Sequence, residues 1–347
     1  MKITVQTKSG ERTFDCDANE KLLYAGLRQG LALPYECGTG TCGTCKARSV
    51  SGPVEPGWRA APGRSYLKED RGEFLLCQET AAGDCTILVP GKPAAEIATL
   101  PRPAYHWGTL GGYARLTRDV ISFTLALETG MDFVPGQFAV CAVPEVEGGR
   151  AYSMVNFAAP AASLEFVIKE KPGGKFSAWI SAANRDQIRV RVFGPLGRAV
   201  FRPEEGKNIL CIAGGSGIAG MMSILARASG AGSFAGHRGN VFFGVRTAID
   251  VFYLERLGGF AAASQGNLKI TVALSEGDAP ADLKARYPSI RFVTGFVHAV
   301  AAAAMAGAYE NVIAFVAGPP AMVDGALRML IMEARLPAKD IRYDKFG

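Results

Sequence analysis

The sequence predicts a multidomain protein of mixed class, in which an α+β unit, an antiparallel β-barrel and a parallel α/β domain follow one another. Three observations lead to this prediction: a cysteine-rich loop after a hairpin and a helix, short alternating segments in the middle of the chain, and strands that alternate with glycine loops and helices from residue 208 onward. With 347 residues, 48% of them hydrophobic, the chain is long enough for two or three hydrophobic cores.

The first segment has the pattern of a hairpin followed by a helix. Residues 2–7 and 12–17 alternate between apolar and polar side chains on either side of a turn at Ser9 and Gly10. A helix should follow, with its apolar stripe between Leu22 and Leu27 and with Asn19 as its N-cap. Hairpin, helix and cysteine loop is the order of elements in a β-grasp domain.

Four cysteines form the most informative motif of the chain. Cys37, Cys42 and Cys45 have the spacing C-x4-C-x2-C, and Cys77 follows in L-L-C-Q. This is the spacing of a plant-type [2Fe–2S] site, in which two irons take four thiolates. The intervening glycines allow the backbone to curl closely around a cluster.

Other roles for these cysteines are less favoured by the pattern. Zinc also binds four thiolates, but its sites usually pair two C-x2-C knuckles. Disulfides are disfavoured because nothing marks the chain as secreted. The remaining cysteines lie in apolar, strand-like contexts and are predicted to be small buried hydrophobes: Cys16, Cys85, Cys141 and Cys211.

Residues 1–92 resemble plant-type ferredoxin domains, on the strength of the cysteine motif. Four prolines between residues 90 and 103 interrupt any regular pattern, so residues 93–104 are predicted to be a linker. Short alternating runs then predict an antiparallel barrel over residues 105–205. Strand, glycine loop and helix alternate over residues 206–347, which predicts a parallel sheet with helices on both faces.

The barrel segment carries four short motifs in a defined order. P-G-Q-F at 135–138 precedes R-A-Y-S at 150–153, and P-G-G-K-F-S at 172–177 and G-P-L-G at 194–197 follow. R-A-Y-S alone is a weak signal, since it also suits a strand with an exposed arginine. Together and in this order, the motifs resemble the flavin-binding barrel of the ferredoxin–NADP reductase superfamily.

That resemblance implies roles for individual residues. Arg150 would bind the flavin diphosphate, Tyr152 would face the isoalloxazine ring, and Ser153 would act as a catalytic residue at the reactive N5 edge. Backbone N–H groups at the start of a helix would also bind the diphosphate, from Gly174, Lys175, Phe176 and Ser177. Because the iron–sulfur segment comes first, the domain order favours FAD over FMN. A terminal aromatic, Phe346, would cover the other face of the flavin and is the second catalytic candidate.

Two loops after strands are the predicted nicotinamide-binding elements. The first, A-G-G-S-G, leads into a helix near Ile218, and the second, A-G-P-P, follows a strand at 312–316. In the superfamily the second loop often begins with cysteine, whereas this chain has Ala317. The candidate residues are Gly214, Gly215, Gly217, Gly318 and Pro319.

The choice of hydride donor is predicted from two charged residues after the next strand. Arg246 is a potential ligand of the 2′-phosphate of NADPH, but Asp250 is close and no basic cluster surrounds it. The pattern favours NADH and leaves NADPH possible.

The whole chain resembles the NADH–ferredoxin reductase components of multicomponent bacterial oxygenases. This implies electron flow from NADH through FAD and [2Fe–2S] to a terminal oxygenase, of the Rieske or diiron type, or to a ferredoxin. A reductase that serves a deoxysugar dehydrase has the same three parts and is the alternative. A plain zinc-binding module at the N-terminus is a third reading.

Charge and hydropathy exclude some further classes. The net charge of +6 is spread along the chain, which gives no support for nucleic-acid binding. No apolar stretch approaches the roughly 20 residues that a membrane-spanning helix needs. We therefore expect a cytoplasmic protein that acts as a monomer.

Overall fold

The computed structural model describes residues 1–90, 99–182 and 185–345. The N-terminal unit has a five-stranded sheet in the order β2-β1-β7-β3-β5, beside a two-stranded sheet of β4 and β6. β1 pairs in parallel with β7, and helix α1 packs across this sheet, as expected for a β-grasp domain. The elements are β1 (Lys2–Thr7), β2 (Gly10–Asp15), α1 (Leu22–Arg28), β3 (Lys46–Ser51), β4 (Val54–Glu55), β5 (Glu73–Leu75), β6 (Thr80–Ala81) and β7 (Cys85–Leu88).

The start of α1 differs from the sequence prediction. Asn19 does not cap the helix: it lies in the preceding turn with a φ of +63°, and Lys21 occupies the N-cap position without a side-chain hydrogen bond. The reason is tertiary. The N–H groups of Leu22 and Leu23 donate to the carbonyl oxygens of Glu79 (3.0 Å) and Leu76 (2.8 Å), so these two need no capping side chain.

The middle of the chain forms the predicted barrel. Six antiparallel strands lie in the order β11-β10-β13-β8-β9-β12. The two end strands approach each other where the Val155 N–H donates to the Glu165 carbonyl (2.9 Å), which nearly closes the sheet. The elements are β8 (Ala104–Arg115), β9 (Val120–Met131), β10 (Phe138–Ala142), β11 (Arg150–Ser153), β12 (Ala161–Lys169), α2 (Lys175–Ser181) and β13 (Arg189–Leu196).

The C-terminal α/β domain is a six-stranded parallel sheet in the order β17-β16-β15-β14-β18-β19. Separate hydrophobic cores cover its two faces, one beneath α3 and α4 and the other beneath α6 and α7. Strand order reverses between β14 and β18, which opens a crevice at their carboxyl ends. The elements are β14 (Asn208–Gly214), α3 (Ile218–Gly230), β15 (Gly239–Val245), α4 (Leu254–Ala263), β16 (Leu268–Leu274), α5 (Ala281–Arg286), β17 (Ile290–Thr294), α6 (Val297–Met305), β18 (Val312–Gly318), α7 (Pro320–Arg328) and β19 (Ile341–Lys345).

The exact boundaries between the predicted domains stay predictions. Barrel strand β8 begins at Ala104 and β14 begins at Asn208, close to the expected starts of the second and third domains. Half of the predicted linker, residues 93–98, lies outside the described residues.

Aromatic side chains join the N-terminal unit to the barrel. The ring of Tyr24 stacks on Phe193 with 4.3 Å between centroids, and Tyr105 packs against both. Barrel residues such as Leu196 belong to the same hydrophobic core as the β1 strand and α1. The two units therefore share one core.

A charged network joins the barrel to the C-terminal domain. Arg256 Nη1 donates to both carboxylate oxygens of Glu165 (2.7 and 3.0 Å), and the Tyr253 hydroxyl donates to the same carboxylate (2.7 Å). The crevice of the parallel sheet is thereby held against the barrel.

None of the helices in the three described ranges is both long enough and apolar enough to cross a bilayer.

Candidate functional site

The four predicted ligand cysteines lie together as two pairs. Cys45 Sγ is 3.1 Å from Cys77 Sγ, and Cys42 is hydrogen-bonded to Cys37. This hydrogen bond lowers the pKa of Cys37 to about 4 and raises the pKa of Cys42. All eight cysteines, each within the described residues, are free thiols, and the other four are buried as predicted.

The backbone of the cysteine loop suits a negatively charged cluster. The N–H groups of Thr39 and Thr44 donate to Cys37 Sγ (3.4 Å) and Cys42 Sγ (3.5 Å). Positive φ angles at Gly38, Gly40 and Gly43 turn the chain tightly around the sulfurs. A Cβ at Gly43 would lie only 2.9 Å from the Tyr66 ring, so this position also needs glycine for space.

The pairing of the sulfurs favours two irons over one zinc. Each iron of a [2Fe–2S] cluster takes two cysteine thiolates, whereas a structural zinc gathers four ligands in one tetrahedron.

A cavity of about 900 Å³ lies where the three parts of the molecule meet. We call it the central cavity. Its wall includes Cys37 and Cys42 from the cysteine loop, the R-A-Y-S strand β11, and the C-terminal strand β19. Its volume is at the upper end of the range for cofactor pockets. One cysteine pair thus borders the same space as the predicted flavin residues.

Strand β11 presents its three candidate residues to the central cavity. Arg150 donates through Nη1 to the carbonyl oxygens of Gly148 (3.2 Å) and Gly149 (3.0 Å). Tyr152 packs 5.2 Å from the Phe176 ring, and burial raises the pKa of its hydroxyl. Ser153 is buried beside α3 of the C-terminal domain.

The start of α2, which is the predicted diphosphate-binding segment, also borders the central cavity. Gly174 is the N-cap, and Lys175, Phe176 and Ser177 form the first turn. The Ser177 hydroxyl donates to the Gly174 carbonyl (3.0 Å), so it would have to rotate to donate to a ligand. Six basic side chains line the cavity without a carboxylate partner among the described residues: Arg150, Lys171, Lys175, Arg198, Arg202 and Lys339. Their charge fits an anionic cofactor.

The two predicted nicotinamide loops touch each other at the crevice of the parallel sheet. A Cβ at Gly217 would lie 2.3 Å from the Ala317 carbonyl oxygen, and one at Gly318 would lie 2.5 Å from Met322. Gly214 packs against Pro319 in the same way, with 3.1 Å to its Cδ. These glycines are explained by close packing of the loops.

Gly215 has a different environment. Its φ is +53°, and a Cβ there would meet nothing within 4 Å. The left-handed backbone explains the glycine, and the open space above it is available to a pyrophosphate at the start of α3.

Arg246 and Asp250 are near each other, as the sequence suggested, but they form no ion pair among the described residues. The Asp250 carboxylate accepts hydrogen bonds from the Thr247 N–H (3.0 Å) and hydroxyl (2.7 Å) and so caps the turn Ala248–Asp250. Arg246 Nε donates instead to Glu276 Oε1 (2.9 Å), and this ion pair raises the pKa of Arg246. Sequence reasoning missed Glu276, although it closely follows a buried strand adjacent to the one before Arg246.

A second residue that the sequence analysis passed over is Asp344. It lies on β19 opposite Ala317 and borders the central cavity. The residue is half-buried in the cavity wall, and desolvation raises the pKa of its carboxyl to about 7, with Glu36 adding to the rise. The predicted aromatic cover, Phe346, lies outside the described residues.

Comparisons with known proteins match each part of the chain. Residues 3–82 match the 2Fe-2S iron–sulfur cluster binding domain, residues 108–201 the oxidoreductase FAD-binding domain, and residues 211–328 the oxidoreductase NAD-binding domain. The three matches follow the order of the three structural units.

Whole-length relatives have the same organisation. A ferredoxin–NAD(P)+ reductase of Metapseudomonas resinovorans is 32% identical over 97% of this chain and 98% of its own length. The ferredoxin–NAD+ reductase component of an alkene monooxygenase system of Xanthobacter autotrophicus is 32% identical over 96% of this chain and 98% of its own. The solved ferredoxin reductase of carbazole 1,9a-dioxygenase superposes with a TM-score of 0.83 at 29% identity and covers 100% of this chain and 99% of its own.

The fold and the central cavity define an iron–sulfur flavoprotein oxidoreductase with [2Fe–2S], FAD and NAD(P) as its cofactors. The chain belongs to the family of three-domain ferredoxin–NAD(P)+ reductases that serve oxygenase systems. It transfers electrons from NAD(P)H by way of FAD to the iron–sulfur cluster. The predicted family, domain types and cofactors are confirmed.

Proposed function

We propose that this protein delivers electrons from NADH to the terminal oxygenase of a multicomponent mono- or dioxygenase that hydroxylates aromatic rings. The observation that carries the proposal is that Cys37 and Cys42 border the same cavity as the R-A-Y-S strand. The full-length relatives from a dioxygenase and an alkene monooxygenase system support an oxygenase as the acceptor.

Different residues around the central cavity bind different parts of the cofactor. Arg150 and the start of α2 neutralise and bind the diphosphate, because free N–H donors and positive charge meet there. Tyr152 would supply an aromatic wall for the isoalloxazine ring, and the buried Ser153 hydroxyl would hydrogen-bond its N5 edge. When bound, FAD accepts the hydride pair and releases single electrons to the cluster.

The two nicotinamide loops would bind NADH at the crevice of the parallel sheet, next to the central cavity. The open space at Gly215 leaves room for the pyrophosphate of a dinucleotide at the start of α3. Ala317 supplies no thiol beside the nicotinamide, which removes a group that aids hydride transfer in the superfamily but leaves the two loops that hold the donor.

We infer that the protein prefers NADH, now chiefly because of Glu276. A 2′-phosphate at Arg246 would have to displace the Glu276 carboxylate and would meet its negative charge. We expect kcat/KM for NADH to exceed that for NADPH. Glu276→Gln should raise kcat/KM for NADPH about three- to tenfold, since the effect lies between that of an exposed ion pair and a charge-assisted hydrogen bond. Steady-state kinetics with both donors measure this.

Arg246→Ala is the matched variant for this test. It should lower NADPH turnover more than NADH turnover, because the guanidinium is the only group of the Arg246–Glu276 pair that attracts phosphate. A wild-type preference for NADPH would overturn the cofactor assignment. Unchanged NADPH kinetics in Glu276→Gln would show that Glu276 does not control the preference between NADH and NADPH.

The acceptor is tested by reconstitution with the terminal oxygenase encoded nearest to this chain. We expect NADH to reduce the oxygenase metal centre only when this protein is present, and to support hydroxylation of an aromatic substrate. Reduction of a deoxysugar dehydrase, with no oxygenase accepting electrons, would replace the proposal by the alternative function. Electron transfer to a separate ferredoxin first would place that ferredoxin between this protein and the oxygenase.

We further propose that the protein acts as a monomer in the cytoplasm. Residues from all three parts of one chain complete the central cavity, so the site needs no second copy. The four cysteines outside the cluster motif are free thiols, which suits a reducing compartment.

A further inference from the structure

Trp58, in the N-terminal unit, packs against Arg150, the first residue of barrel strand β11. Arg150 Cζ lies 4.7 Å from the centre of the Trp58 ring. Trp58 belongs to the loop between β4 and the turn Pro62–Tyr66, whereas Arg150 begins β11 of the barrel. The contact therefore crosses the boundary between the iron–sulfur domain and the flavin domain.

The remaining contacts of Arg150 fix its guanidinium from one side only. Its Nη1 donates to the carbonyl oxygens of Gly148 and Gly149, with a longer contact of 3.4 Å to that of Glu147. Among the described residues, no acceptor is bound by Nε or Nη2. Gly148 fills the corner between the two side chains: a Cβ there would lie 3.0 Å from Trp58 Cε3 and 3.3 Å from Arg150 Nη1. The guanidinium is thus held by a ring and a loop, with two donor groups left for a ligand.

The iron–sulfur domain itself sets the position of Trp58. The Trp58 carbonyl accepts hydrogen bonds from Arg64 Nε and the Ala61 N–H, both at 3.2 Å. Arg64 also pairs with Glu79. The preceding Gly57 lies so close to the Gln78 carbonyl that a Cβ would be 2.0 Å from it. The segment that carries the fourth cysteine therefore determines where the ring lies.

We infer that Trp58 is a positioning residue for FAD: its ring holds the Arg150 guanidinium in the orientation that binds the diphosphate, so flavin affinity depends on docking of the iron–sulfur domain. This inference rests on the proposed role of Arg150. An arginine side chain that is already ordered loses less conformational entropy when it binds phosphate. The indole ring provides this order through a cation–π contact, for which tryptophan is the best aromatic partner.

The test is the rate and equilibrium of FAD release from the holoprotein, followed by the recovery of free-flavin fluorescence on dilution. Trp58→Ala should weaken FAD binding about three- to tenfold, the scale of a cation–π contact. Trp58→Phe should lie between this variant and the wild type, whereas Trp58→Leu, which keeps apolar bulk without a π face, should resemble Trp58→Ala. The iron–sulfur absorbance of each variant reports whether the cluster is retained.

A matched control exists on the outer surface of the barrel. Arg189 Cζ lies 4.1 Å from the Trp107 ring, and neither residue borders the central cavity. Trp107→Ala removes the same kind of contact and should leave FAD affinity unchanged. An equal loss in this variant would mean that general destabilisation, and not the position of Arg150, causes the effect.

A double-mutant cycle decides whether Trp58 acts through Arg150. We expect Trp58→Ala combined with Arg150→Ala to bind FAD no more weakly than Arg150→Ala alone. Additive losses, or wild-type affinity in Trp58→Leu, would overturn the inference. Unchanged affinity in Arg150→Ala alone would overturn the role of Arg150 itself, which separates the two failures. If Trp58→Ala loses the cluster, the FAD affinities of Trp58→Phe and Trp58→Leu test the inference instead. Weaker binding in Trp58→Leu than in Trp58→Phe would support it, and equal binding would overturn it.

Discussion

Replacement of Cys42 by serine is expected to reduce NADH-dependent cytochrome c reduction to background while NADH oxidation with ferricyanide continues. Cys42 forms, with Cys37, the cysteine pair that borders the central cavity. Without this thiolate the cluster loses one of its four ligands, and cytochrome c loses its electron source. Ferricyanide can take electrons directly from the flavin. Steady-state assays with both acceptors, together with iron and sulfide contents, measure the result.

Cys85→Ser is the matched control for this experiment. Cys85 is buried on β7 of the same domain, but it belongs to neither sulfur pair. This variant should keep about two irons and two sulfides per chain and both activities. Equal loss of both activities in Cys42→Ser would instead indicate that the flavin domain cannot fold without the cluster. Zinc without iron in wild-type protein purified anaerobically would refute the cluster assignment.

Replacement of Arg150 by alanine should weaken FAD binding about ten- to a hundredfold. The side chain offers free guanidinium donors at the wall of the central cavity, and a charge-assisted contact of this kind contributes about 1.5–3 kcal/mol. Flavin content after gel filtration and the dissociation constant of FAD measure the loss.

Arg189→Ala provides a control of equal chemistry for that measurement. Arg189 pairs with Glu128 (2.6 Å) on the outside of the barrel and should not affect flavin binding. Purification of Arg150→Ala with full flavin and unchanged affinity would show that Arg150 does not contact the diphosphate.

Local patterns were sufficient for the elements and for the cysteine motif. The spacing of Cys37, Cys42 and Cys45 places three sulfurs on one tight loop, because the intervening glycines adopt left-handed conformations. Likewise, apolar strands followed by glycine loops predicted the parallel sheet, since this pattern depends only on neighbouring residues.

Contacts between separate parts of the chain could not be predicted in this way. Asn19 looked like a cap, but backbone carbonyls from the segment around Cys77 replaced it. Glu276 meets Arg246 only because β15 and β16 are neighbours in the sheet. The Trp58–Arg150 contact requires the docking of two domains, which no local pattern encodes.

The shared core of the iron–sulfur domain and the barrel limits how such reductases can evolve by gene fusion. Tyr24 stacks on Phe193, while its hydroxyl donates to the Gly38 carbonyl in the cysteine loop (2.8 Å). A ferredoxin domain acquired from another gene would have to present a matching aromatic surface at this point. Recombination at the linker alone would join two modules that lack this aromatic contact, and their redox centres would not be aligned by it.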